Sequence, residues 1–159
     1  MQQISRPLGA DVPFFLSGFS TAHATGIGEK LKPLNLLIKP WFIIIFPNFS
    51  ISTKWAYSAY SKYKLLTKTQ KNIKVTKFTG DMENIVTLLL NDFESVVIPR
   101  YPEINTIKKN LIKAGAAGSL LSGSGSSVFG VFSTRDESDK ALSMIPRQTN
   151  HKEFIVHCM

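Results

Sequence analysis

Two periods of apolar residues run along this chain, and the places where one gives way to the other define its expected elements. Residues 36–46 form a β-branched and aromatic run, interrupted by Lys39 and Pro40 and stopped by Pro47-Asn48, and this reads as a strand. Residues 119–121 and 128–132 read as a strand–turn–strand, and residues 154–157 as a closing strand. Elsewhere the spacing is helical. Ser52 and Thr53 are N-cap candidates for a helix to about residue 63, with Trp55, Tyr57, Ala59 and Tyr60 crowding its surface. Asp81 can cap a helix over residues 82–94, where Ile85, Val86, Leu88, Leu89 and Phe93 recur at helical intervals. Pro102 and Gly115 bracket a helix over 101–114 with Ile104, Ile107, Leu111 and Ile112 as its apolar stripe. Thr134 and Glu137 make a capping box for a last helix reaching Ile145.

The N-terminal part reads differently. Residues 12–16, between Gly9 and Gly18 and broken by Pro13, predict a tight turn feeding a strand. Residues 21–25 and 31–34 flank Gly26-Ile27-Gly28 as the arms of a β-hairpin. Residues 68–77 are polar and read as a loop. The order is β-rich first and helices alternating with strands afterwards, which gives an α+β class with a boundary near residues 33–35. No internal repeat is found.

Composition narrows the class. Hydrophobic residues make up 43% and charged residues 19% of 159, a globular balance. Cys158 is the single cysteine and cannot form an internal disulfide, which fits a reducing, cytoplasmic setting. No apolar run approaches the roughly 20 residues of a membrane span, and the first residues carry no signal-peptide core, so no membrane partner is expected. Nineteen Lys and Arg against eleven Asp and Glu give a formal charge of +8. The lysines are scattered over residues 54–77 and 108–113, without an arginine-rich run or an interleaved aromatic signature. A solvated basic surface, favourable to phosphorylated ligands, explains this better than nucleic acid.

Three segments can carry chemistry. The first is Ser122-Gly123-Ser124-Gly125-Ser126-Ser127. Glycines let backbone N–H groups approach an anion and serine hydroxyls add donors, although the same composition serves a plain hairpin connector. It is not a Walker A loop, since no Gly-Lys-Ser/Thr follows. The second is Asp11, beside small residues and followed by Val12-Pro13-Phe14-Phe15; an acid at the edge of an apolar wall suits a general base, and a turn-capping Asp is the simpler alternative. The third is the helix start at Thr53, with Tyr57 one turn on, where a hydroxyl and free N–H groups suit a polar or anionic ligand and an aromatic ring can stack a base. Trp55 reads as core. His23, His151 and His157 lie far apart and have no ligand spacing with Cys158, so no metal site is expected; no G-x-S-x-G elbow is present either.

Taken in order, these segments resemble the GHMP kinase superfamily, and within it the diphosphocytidyl-methylerythritol kinases. Residues 9–18, Gly-Ala-Asp-Val-Pro-Phe-Phe-Leu-Ser-Gly, are similar to the block that carries the catalytic Asp there. Ala24-Thr25-Gly26-Ile27-Gly28-Glu29 follows as an A-x-G-x-G-E segment, and Pro47 to Tyr57, with Ser50, Ser52-Thr53 and Trp55-Ala56-Tyr57, looks like the family's P-x-x-S-x-x-T segment. Asn91-Asp92-Phe93-Glu94 and Tyr101-Pro102-Glu103-Ile104 are typical of it, and residues 120–129 match the third GHMP motif.

The resemblance implies a GHMP kinase fold: a ferredoxin-like α/β sandwich over residues 35–159, with residues 1–34 a remnant of the N-terminal domain that carries the catalytic Asp. It implies ATP as co-substrate, with Mg, and phosphorylation of the 2-hydroxyl of 4-diphosphocytidyl-2-C-methylerythritol in non-mevalonate isoprenoid synthesis. Asp11 would accept the hydroxyl proton, Thr53 would lie near acid and substrate, Tyr57 would meet the cytosine ring, and Ser122, Gly123, Ser124, Gly125 and Ser126 would border the phosphates. The family pattern begins with a lysine and a G-L-G-G-G-S-S loop that this sequence does not contain. The expectation is therefore a C-terminal portion that by itself binds ATP poorly and does not turn over. The competing expectations are a non-catalytic remnant or half of a split enzyme with a separately encoded N-terminal half, another GHMP kinase such as homoserine or mevalonate kinase, and, on charge alone, a nucleic-acid binder.

Overall fold

The computed structural model describes residues 12–67, 78–148 and 150–157. Its elements in chain order are α1 (Val12–Ser17), β1 (Ala22–Thr25), β2 (Lys30–Pro33), β3 (Trp41–Phe46), α2 (Thr53–Thr67), α3 (Met82–Thr87), α4 (Glu94–Arg100), α5 (Pro102–Lys113), β4 (Gly118–Leu121), β5 (Val128–Phe132), α6 (Arg135–Met144) and β6 (Lys152–His157).

The main sheet has the order β4-β5-β3-β6, with every neighbouring pair antiparallel. Because β5 runs against both β3 and β4, those two strands are parallel with β5 inserted between them. That is the split βαβ of a ferredoxin-like sandwich. The registers Ile43↔Gly130, Ile45↔Val128 and Leu121↔Val128 put these residues on one face of the sheet. On that face α5 lies over β4 and β5, and α6 over β3 and β5. The expected stripe of α5 is there: Ile104, Ile107 and Leu111 are buried against Ile43, Ile45, Val128 and Phe132, whereas Ile112 points outward at 48% exposure.

Helix ends follow their sequence signals. Asp81 accepts from Asn84 N at 2.8 Å, and Thr134 Oγ1 from Glu137 N at 3.2 Å. Glu137 returns the bond to Ser133 N (3.0 Å), one residue earlier than a capping box requires. The hairpin forms as expected, with Ala22↔Pro33 and Thr25↔Lys30 closing its register.

Three expectations are corrected. Residues 12–17 form a helical turn, α1, not a turn into a strand; Pro13 sits in its first turn, where a missing N–H costs nothing. The strand of residues 36–46 is confined to Trp41–Phe46, because Pro40 cannot donate to a ladder. The helix of residues 82–94 ends at Thr87, and a separate helix, α4, runs from Glu94 to Arg100 with Pro99 inside it. Asn91 and Asp92 explain the break, since both hydrogen-bond locally in turns. The loop of residues 68–77 and Cys158 lie outside the described residues.

Residues 12–33 pack differently from the rest: α1 has no buried residue, neither do β1 and β2, and Phe15 (78%) and Ile27 (74%) are exposed.

Candidate functional site

The serine-glycine segment closes the β4–β5 hairpin. Ser122 N bonds Ser127 O at 2.8 Å and Gly125 N bonds Ser122 O at 2.9 Å, so the N–H groups of Gly123 and Ser124 take no part in the turn's own bonds. Gly123 (φ 55°) and Gly125 (φ 89°) are left-handed, a region that other residues rarely adopt. A Cβ on Gly125 would also stand 2.9 Å from Ile51 Cδ1 and 3.1 Å from Leu121 Cδ1. The loop is pinned at its far end, where the buried Ser126 hydroxyl donates to the carbonyl of Phe49.

That bond brings in the start of α2. Ser52 is the cap: its Oγ accepts from Trp55 N at 3.3 Å, and its carbonyl from Ala56 N at 2.9 Å. Thr53, the alternative cap on the sequence reading, keeps its hydroxyl for another partner and meets Ser124 Oγ at 2.9 Å. Tyr57 is one turn along the same face, 60% exposed, with its ring edge-on to Phe93 at a centroid distance of 4.9 Å. Trp55 packs on the core as expected, perpendicular to Tyr101 and under the Arg100 guanidinium.

A third segment completes the arrangement. Asn91 Nδ2 donates to Leu121 O and to Gly123 O, both at 2.7 Å, and Asn91 Oδ1 accepts from Phe93 N at 3.0 Å. Glu94 receives Leu121 N at 2.9 Å and pairs with Lys108 at 2.5 Å, both side chains being only 19% exposed. Asp92 accepts from Tyr60 OH at 2.7 Å, and this bond to a carboxylate, with a little help from burial, raises the Tyr60 phenol above its usual value. The sequence reading missed these roles. The available signal was the run of polar residues Asn91 and Asp92 in an otherwise apolar helical pattern.

Thr53, Tyr57 and the loop are thus brought together, whereas Asp11 lies outside the described residues. Together they form an open surface. Two hollows lie apart from them: one of about 310 Å³ is lined by Tyr60, Tyr63, Lys64 and Asp92 among others, and one of about 630 Å³ by Asn48, Phe49, Glu103, Arg147 and His151 among others. His151 pairs there with Glu103 at 2.8 Å, and the His157 ring lies tilted against Trp41, with the ring centroids 4.8 Å apart. Among the described residues, no three His, Cys, Asp or Glu side chains are grouped to hold a metal ion, and no helix is long and apolar enough to cross a membrane.

The family described as GHMP kinases C terminal matches residues 70–151. This chain belongs to the GHMP kinase family. It is 40% identical over 149 residues to the 4-diphosphocytidyl-2-C-methyl-D-erythritol kinase of Syntrophotalea carbinolica, covering 94% of this chain and 51% of that protein. The enzyme of the same name from Geobacter sulfurreducens is 41% identical, over 91% of this chain and 50% of its own length. A crystal structure of a 4-(cytidine 5'-diphospho)-2C-methyl-D-erythritol kinase superposes with a TM-score of 0.70 at 27% identity, over 98% of this chain and 56% of that one. The structure of L. major mevalonate kinase superposes with a TM-score of 0.60 at 17% identity, over 80% and 45%, and shows shared fold alone. The chain spans about half the length of the curated relatives it matches. For a GHMP kinase, the ferredoxin-like sandwich and its α+β class are as the sequence implied.

Proposed function

We propose that this chain supplies the acid and the substrate surface of a small-molecule kinase that transfers the γ-phosphate of ATP to the 2-hydroxyl of 4-diphosphocytidyl-2-C-methyl-D-erythritol, a step of isoprenoid synthesis. The observation that carries the proposal is the bond between Thr53 and Ser124, which joins two separate motifs of the family pattern into one polar surface with Tyr57 at its edge. The names of the relatives supply the substrate.

In this reading Asp11 takes the proton of the attacking hydroxyl, and Thr53 orients that end of the substrate. Tyr57 offers its open ring face to the cytosine. Ser122, Gly123, Ser124, Gly125 and Ser126 line the phosphate end, where backbone N–H groups stabilise charge without bearing any themselves. Mg²⁺ in such transfers is held largely by the nucleotide phosphates, with one or two carboxylates and waters completing its shell. The positive charge of the chain favours a substrate with two or more phosphates, and the setting is cytoplasmic.

Residues 1–34 are assigned to the N-terminal domain of the fold and residues 35–159 to the C-terminal domain. The exposed apolar side chains of α1 and of the hairpin support that division. The partner is then an N-terminal portion, encoded with this chain or apart from it.

The experiment is to mix the 159-residue chain with the segment of the Syntrophotalea carbinolica enzyme that it does not cover, and to follow transfer of labelled γ-phosphate. Expected is phosphorylation of the cytidyl alcohol, little of homoserine or mevalonate, and none by the chain alone. Transfer by the two halves of the Syntrophotalea enzyme, but not by the mixture, would overturn the proposal.

A further inference from the structure

We infer that Asn91 is a positioning residue of this site, one that aims the N–H of Ser124 at the bound phosphate. The inference deepens the kinase reading above and rests on it for the identity of the ligand; its geometry stands apart.

Asn91 makes three hydrogen bonds that use both ends of its amide. The NH₂ group donates to Leu121 O and Gly123 O, each at 2.7 Å, and the oxygen accepts from Phe93 N at 3.0 Å. Two carbonyls face one end and an N–H faces the other, so only one orientation of the amide is satisfied. Leu121 is the last residue of β4, and Gly123 is the first left-handed residue of the turn. One side chain, 30 and 32 residues away in sequence, therefore spans the joint between strand and loop.

The consequence follows from peptide planarity. The Gly123–Ser124 peptide is trans, so its C=O and N–H point in opposite directions. Holding the Gly123 oxygen toward Asn91 turns the Ser124 N–H to the opposite side of the loop. The Ser124 hydroxyl is fixed separately by Thr53 at 2.9 Å. The backbone and side-chain groups of Ser124 are thus both oriented before any ligand arrives, which is the condition under which a donor stabilises developing charge without reorganising. Through Phe93 the same asparagine also steadies the ring against which Tyr57 rests. Glu94 supports the strand side of the joint by holding Leu121 N.

The test has a structural and a kinetic arm. In nuclear magnetic resonance of the 159-residue chain, the Asn91 side-chain nitrogen should show couplings across hydrogen bonds to the carbonyl carbons of Leu121 and Gly123. The Ser124 amide should shift on addition of inorganic pyrophosphate. In Asn91→Ala, exchange of the Ser124 amide should quicken at least about tenfold and the pyrophosphate shift should vanish, with the resonances of α5 and β3 unmoved. In the complemented enzyme, Asn91→Ala and Asn91→Asp should lower kcat about 10- to 100-fold and leave KM for the cytidyl substrate within about threefold. Absent couplings in the unmodified chain overturn the inference even if the variants fail to fold, as does a Ser124 amide unchanged in Asn91→Ala, or a loss confined to KM. An unmodified complemented chain without transfer activity sinks the kinase reading alone, and the resonance arm then decides the role of Asn91.

Discussion

Thr53 Oγ1 lies 2.9 Å from Ser124 Oγ, across 71 residues of sequence. The contact is possible because Ser52, not Thr53, caps α2, and because the buried Ser126 hydroxyl holds the loop against the carbonyl of Phe49. Two hydroxyls so placed can share a proton between them and still offer lone pairs to a third group.

Removing either hydroxyl should cost activity and not stability. Thr53→Val and Ser124→Ala touch an exposed bond, so their unfolding free energies should stay within about 0.5 kcal/mol of the parent. The rate of phosphate transfer in the complemented enzyme should fall at least about tenfold in each. Because the two groups act on each other, the double variant should lose less than the product of the single losses, and a double-mutant cycle measures the difference. Additive losses would mean that the hydroxyls work independently.

Tyr57 should act through its ring and not its hydroxyl. Stacking of a base on an aromatic side chain is worth about 1–3 kcal/mol when removed by alanine. Tyr57→Ala should therefore weaken binding of cytidine diphosphate about 10- to 100-fold, while Tyr57→Phe stays close to the parent. Calorimetric titration of the 159-residue chain would read this directly. At 60% exposure the residue contributes little to the core, so thermal midpoints should barely move.

Glu94 is expected to matter for folding. It is largely buried between Lys108 and the N–H of Leu121, so Glu94→Ala leaves an amide and an ammonium group without their partner. A loss of about 1–3 kcal/mol in urea unfolding follows. Glu94→Gln keeps an acceptor for Leu121 and should lose less. Equal losses in the two variants would show that the charge of Glu94, and not its hydrogen bond to the strand, carries the effect.

Much of this was legible in the sequence where periodicity and local chemistry agree. The α5 stripe, the hairpin at Gly26 and the caps at Asp81 and Thr134 each depend on neighbours within a few residues. The failures share a cause as well. Residues 12–17 are too short a run for either period to declare itself, and residues 88–93 keep a helical spacing of apolar side chains through a backbone that leaves the helix. In the site, the glycine loop and Thr53 could be named from their chemistry and from the family pattern. Asn91 was marked only by its polar run and the family pattern; its clamping role was not, because its partners are carbonyls 30 and 32 residues away that carry no side-chain signature.

The last prediction concerns pH and separates two side chains. Tyr60 donates to Asp92, and its phenol is raised above the usual tyrosine value chiefly by that bond. A group raised on folding favours the folded state while protonated, so this contribution is complete below the ordinary tyrosine value and disappears as pH climbs through the folded one. Asp81 is the reverse case. The N–H of Asn84, and after it the Thr79 hydroxyl at 2.7 Å, hold its carboxyl below the usual aspartate value. Its contribution is complete above the unfolded value and is lost as pH falls through the lowered one. Stability measured in urea against pH should therefore fall at both ends. Asp81→Ala should flatten the acid side alone, and Tyr60→Phe the alkaline side alone. Ultraviolet titration should find a tyrosine that ionises above the ordinary value in the parent and is missing in Tyr60→Phe. An acid limb that survives in Asp81→Ala would mean that some other carboxylate governs it.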